Sequence, residues 1–152
     1  MQAVVLCGIQ GAGKTTFFWR RFGATHVRIS RDLLRTPARE RRFLELCLET
    51  RQPFVVDKVN ATVDDRRPYV EGAREHGFEL CAYWFDVRPR DAIARNHARR
   101  GRERIPLAGL LGAYKRLQVP SAEEGFAKVH RVTVDPEGGF AVVPLHGAPA
   151  PA

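Results

Sequence analysis

The 152 residues, 44% hydrophobic and 28% charged, suffice for one soluble domain with a sizeable core. No apolar run approaches the roughly 18–20 residues of a membrane span, and the opening MQAVVLCG lacks an export signature, so a cytoplasmic protein with no membrane partner is expected. A formal charge of +8, carried mostly by arginine, favours polyanionic partners, while Cys7, Cys47 and Cys81 are too dispersed for a disulfide framework or a metal knuckle and read as buried thiols.

Ala3–Cys7 (AVVLC) reads as a buried strand, followed by a glycine-rich stretch and a helix from about Gly13 to Phe22. Thr25–Ser30 is a short strand, and a helix is expected over Pro37–Thr50 with Phe43, Leu44 and Leu46–Leu48 on its apolar side. Pro53–Asp57 (PFVVD) is a second apolar strand stopping at an acid. A helix follows over Thr62–His76, then a long strand over Phe78–Val87. Helical segments near Pro89–Arg99 and Pro106–Gln118 precede a last strand at Lys128–Asp135. Alternating helices and uninterrupted apolar strands predict an α/β fold, a central parallel sheet with helices on both faces. One domain over residues 1–143 is expected, with a Pro/Ala-rich tail over 144–152.

The segment from Gly8 to Thr15, CGIQGAGKT from Cys7, matches the P-loop spacing and lies between a predicted strand and a predicted helix. Gly8, Gly11, Ala12 and Gly13 let successive backbone N–H groups turn inward as an anion nest, and the helix start at Lys14–Thr16 adds unpaired N–H groups and a positive dipole end. Lys14 suits the β- and γ-phosphates, and the Thr15 hydroxyl suits Mg²⁺. ATP with Mg²⁺ is the expected cofactor pair.

Asp57 ends its strand where a metal- or substrate-facing carboxylate belongs, or else it caps a turn. Asp32 and Arg35, in SRDLLR, are three apart and would share one face of a helical turn. Asp32 then either accepts a proton from an acceptor hydroxyl while Arg35 grips that acceptor's phosphate, or it caps the next helix. Asn60 and Thr62 are substrate contacts or plain caps. The segment RNHARRGRERIP (Arg95–Pro106) is a basic helix broken at Gly101, as a lid over phosphates requires, or a solvated basic face.

Arg31-Asp32-x-x-Arg35, Asp57-x-x-Asn60 and Arg95-Asn96-x-x-x-Arg100-Gly101-x-x-x-Ile105-Pro106, in this order after the P-loop, resemble the kinase domain of the bacteriophage-type polynucleotide 5′-kinases. The similarity covers about Ala3 to Gln118. It implies transfer of the γ-phosphate of ATP to a 5′-hydroxyl of RNA or DNA, with Asp32 as general base and Arg35 on the phosphate 3′ to the acceptor nucleoside. It also implies Arg100 as the lid arginine on the transferring phosphate and Arg95 as a second lid contact. Lys58 stands where the family carries a small or uncharged residue. No DxDxT phosphatase motif occurs, so any phosphatase or ligase step would come from a partner chain. The alternatives are a P-loop kinase of a small hydroxylated metabolite or antibiotic, and a non-catalytic nucleotide-binding adaptor.

Overall fold

The computed structural model describes residues 1–98 and 106–145. The expected lid residues Arg99, Arg100, Arg102 and Arg104, and the tail beyond Leu145, lie outside the described residues.

Six strands form one sheet: β1 (Gln2–Cys7), β2 (Val27–Ile29), β3 (Phe54–Asp57), β4 (Glu79–Phe85), β5 (Lys128–Val134) and β6 (Phe140–Pro144). Their order is β2-β3-β1-β4-β5-β6, parallel except for the antiparallel β5–β6 pair. β1 lies between β3 and β4, and its residues from Ala3 to Cys7 are fully buried, which is why it reads as an unbroken apolar run.

Alternation along β1 feeds two cores. Ala3, Val5 and Cys7 pack with Leu44, Cys47 and Leu48 of α3 (Pro37–Glu49) and with Tyr69, Val70 and Ala73 of α4 (Val63–Glu75). Val4 and Leu6 face the opposite way. They meet Phe17 and Phe18 of α1 (Lys14–Arg21), Ala92 of α5 (Pro89–Ala98) and Leu110 and Ala113 of α6 (Leu107–Arg116). Helices therefore cover both faces, and each fully buried Leu, Val or Phe contributes about 1.5–3 kcal/mol of transfer free energy. Not every apolar residue of α3 joins in: Leu46, expected on the packed side, is 53% exposed.

The far edge departs from expectation. β6 follows Gly138 and Gly139, and its exposure alternates only weakly because it covers an edge rather than crossing the core. Pro144, expected in the tail, pairs opposite His130 at the end of β6, and the Leu145 N–H beyond it donates to the Val129 carbonyl at 3.0 Å. Phe140, at the start of β6, lies edge-on to Phe17 with ring centroids 5.2 Å apart and beside Gly13, bracing the start of α1.

Candidate functional site

The carboxyl ends of β1, β2 and β3 and the residues just after them surround one cavity of about 530 Å³, the position where open α/β sheets take ligands. The glycine-rich loop forms one wall. Gly11 (φ +82°) and Gly13 (φ +97°) hold the left-handed backbone that its curl needs, and a Cβ on Gly11 would come within 2.8 Å of the Ala92 carbonyl. Gly13 is the N-cap of α1 and has no side chain to cap its first turn, the arrangement in which a helix N-terminus can receive an anion. Lys14 is buried, and its Nζ donates to the carbonyls of Gly8 (2.7 Å) and Ile9 (2.9 Å) at the centre of the loop. Ala12, Thr15 and Thr16 complete this wall.

At the foot of the loop, Thr15 Oγ1 donates to Asp57 Oδ2 at 2.9 Å, joining the first turn of α1 to the end of β3. This pair fits a magnesium ion, a hard cation that takes few protein oxygens and completes its shell with phosphate and water. Among the described residues no three His, Cys, Asp or Glu side chains converge as a metal cluster. Arg28 of β2 also reaches Asp57 Oδ2, its Nε at 2.7 Å.

The other wall begins at α2 (Arg31–Leu34), a single turn after β2. Asp32 lines the cavity in that first turn, and among the described residues it has no ion-pair or hydrogen-bond partner. It does not cap the next helix: Thr36 does, accepting from the Arg39 N–H at 3.2 Å. The expected shared face with Arg35 is not formed. α2 ends at Leu34, Arg35 takes a left-handed backbone (φ +73°), and it stands outside the cavity wall.

Asn60 lines the cavity and ties two strand ends together, whereas Thr62 lies outside the wall and caps a helix. Asn60 is buried with a positive φ of 48°, and its Nδ2 donates to the Leu6 carbonyl at 2.7 Å, tying the loop after β3 to the end of β1. Thr62 caps α4 in a reciprocal box with Asp65, both bonds 3.1 Å. Under that loop Arg66, wholly buried, forks onto Glu124 at 2.8 and 2.9 Å and donates to the Asn60 carbonyl. Arg95 donates from α5 to the Gly11 carbonyl at 3.2 Å, so this expected lid contact touches the loop. Arg100 lies outside the described residues.

Three residues escaped the sequence reading. Arg28 was legible in principle, as a lone charge inside an apolar strand. Arg116, at the end of α6, lines the cavity from a helix far along the chain. Glu40 is 4% exposed and accepts from Arg31 (2.7 Å), Lys58 (2.8 Å) and the Tyr69 hydroxyl, yet within PARERR nothing marks it as buried. The thiols match expectation: all three are buried, and burial pushes Cys7 up to about 12, so it stays a neutral core residue.

Residues 4–120 match the family model described as an AAA domain. The chain belongs to that family. A curated relative, the bifunctional polynucleotide phosphatase/kinase of Schizosaccharomyces pombe, is 24% identical over 137 residues, covering 86% of this chain and 33% of that protein. The chain thus spans about a third of the length of the curated relative it matches. Among solved structures, a gluconokinase from Sinorhizobium meliloti 1021 superposes with a TM-score of 0.60 at 20% identity, covering 87% of this chain and 82% of that one. The PezAT toxin–antitoxin system of Streptococcus pneumoniae gives 0.68 at 14% identity, with 99% and 74% covered. These likenesses establish the fold, a mostly parallel α/β sheet with helices on both faces. Among the described residues no helix is long and apolar enough to cross a membrane.

Proposed function

We propose that the chain is an ATP- and Mg²⁺-dependent polynucleotide 5′-hydroxyl kinase. The observation that carries this reading is Asp32, a carboxylate without a partner among the described residues, facing the same cavity as the glycine-rich loop. A nucleotide-binding adaptor has no use for such a group, whereas a kinase needs one to take the acceptor's proton. The relationship to a polynucleotide phosphatase/kinase supports the choice of acceptor.

Asp32 accepts the proton of the 5′-hydroxyl as its oxygen bonds to the γ-phosphorus. The bond from that phosphorus to the β–γ bridging oxygen breaks, and ADP leaves with the electron pair. Lys14 and the loop N–H groups neutralise phosphate charge, and Thr15 and Asp57 would hold Mg²⁺, which supplies further charge neutralisation when bound. Arg95 and Arg100 would cover the transferring phosphate. Arg35, outside the wall, can grip only an acceptor that extends past Asp32, as a polynucleotide does. A second reading, a small hydroxylated acceptor held wholly within the cavity, would leave Arg35 without a role in binding.

The test is transfer of labelled γ-phosphate to 5′-OH RNA, 5′-OH DNA and a panel of small hydroxyl compounds. Asp32→Asn should lower transfer by ~10²–10⁴-fold with ATP binding and melting temperature unchanged. Wild-type turnover in Asp32→Asn removes the mechanism. Labelling confined to small acceptors, with little dependence on salt, selects the second reading.

A further inference from the structure

Arg28 has no part in the reading above, yet it holds the two oxygens best suited to the metal. Its Nε donates to Asp57 Oδ2 at 2.7 Å and its Nη2 to Thr15 Oγ1 at 3.2 Å, while that hydroxyl donates to the same Oδ2. The pair is secluded: the Asp57 side chain is 3% exposed and that of Arg28 14%. Phe18 lies against the guanidinium, Cζ to ring centroid 6.0 Å. A carboxylate so far out of water needs a cation beside it. A divalent ion on Asp57 and Thr15 would compete with Arg28 for the same lone pairs and repel its charge, so the two arrangements exclude one another.

We propose that Arg28 is a resident counter-cation: it holds Asp57 and Thr15 in the nucleotide-free protein and yields them to the divalent ion that arrives with the nucleotide. The site then rejects free Mg²⁺, because the ion alone cannot offset loss of the Arg28 pair, and accepts it only with phosphates that bring their own negative charge. The proposal rests on the cavity being a nucleotide–magnesium site. It is independent of the acceptor.

The experiment is titration of Mg²⁺ into nucleotide-free protein, read by calorimetry and melting temperature, followed by ADP titrations at graded Mg²⁺. The wild type should take up no Mg²⁺ alone, and its melting temperature should not move. Arg28→Gln leaves a buried carboxylate without its cation, so Mg²⁺ alone should bind and raise the melting temperature. The Mg²⁺ concentration giving half-maximal ADP affinity should fall at least about tenfold, the scale of one lost charged hydrogen bond. Arg28→Lys keeps a cation and should stay near the wild type. If Arg28→Gln is unfolded without metal, the titration should read as Mg²⁺-dependent refolding. Nucleotide-free Mg²⁺ uptake by the wild type, or an unchanged or weaker Mg²⁺ response in Arg28→Gln, overturns the proposal. Absence of ADP binding in the wild type overturns the nucleotide-site reading and this proposal with it.

Discussion

Asp57 and Lys58 are adjacent in sequence but belong to opposite kinds of network. Asp57 looks into the cavity, and its partners Thr15 and Arg28 line that cavity too, so its bonds can be exchanged for those of a ligand. Lys58 turns toward α3 and α4, donating to Glu40 at 2.8 Å and to the Tyr69 hydroxyl at 3.0 Å. Arg31 closes the same group from α2. Arg31 and Lys58 therefore line the cavity while their cationic heads are already committed to one buried carboxylate. The contrast teaches that charge at a cavity wall is not charge on offer. What a ligand meets is set by whether each group has a saturated partner: by that measure Asp32 is available, Asp57 is open only to a ligand that displaces Arg28, and Glu40 is scaffold.

The largest effect that should separate the networks falls on Glu40. Burial pushes its carboxyl up, but hydrogen bonds from Lys58, Tyr69 and Arg31 and the charge of Lys58 outweigh that and leave it below its ordinary value of 4.5. A group whose folded value is depressed stabilises fully above the ordinary value and loses that contribution as pH falls through the folded one. Urea unfolding should thus show the wild type weakening below about pH 4.5, with a shallower fall in Glu40→Gln. Glu40→Ala, which removes the carboxylate that accepts from Arg31, Lys58 and Tyr69, should cost about 3–5 kcal/mol at neutral pH through the loss of these charge-assisted hydrogen bonds. A fully stable Glu40→Ala would erase the distinction between the two networks. On the open side, Lys14→Ala should lower phosphoryl transfer by ~10²–10³-fold, about 3–4 kcal/mol, while circular dichroism reports an intact fold. Retained turnover would mean that the loop lysine does not serve the reaction.

The fold was legible because parallel strands buried on both faces must be continuous apolar runs, and AVVLC, PFVVD and FELCAYWF are such runs. The loop was legible because its spacing is dictated by backbone curvature. Networks were not. Glu40 looks like any solvated glutamate of a helix first turn until α2, α4 and the loop after β3 converge on it. Asp32 and Arg35 failed to share a face because α2 stops after one turn, a boundary that no residue in SRDLLR announces. β6 was legible in principle, because FAVVP after Gly138 and Gly139 is a short apolar, β-prone run. The smallest test concerns Thr62, where substrate contact and cap were left open. Thr62→Ala should cost about 1 kcal/mol in urea unfolding and leave the acceptor KM unchanged, and a raised KM would return Thr62 to the working side of the loop.

Phe140 carries a consequence for the making of the protein. Its ring braces Gly13, and the Gly138 carbonyl beside it accepts from Arg20 Nη1 at 2.7 Å, so the loop is held by a strand translated long after it. At a ribosomal pace of ~5–20 residues per second, the intervening stretch takes about 6–25 s to be translated. Throughout that interval the nascent loop lacks this contact, which forms only when residues 140–144 have been made and join the sheet.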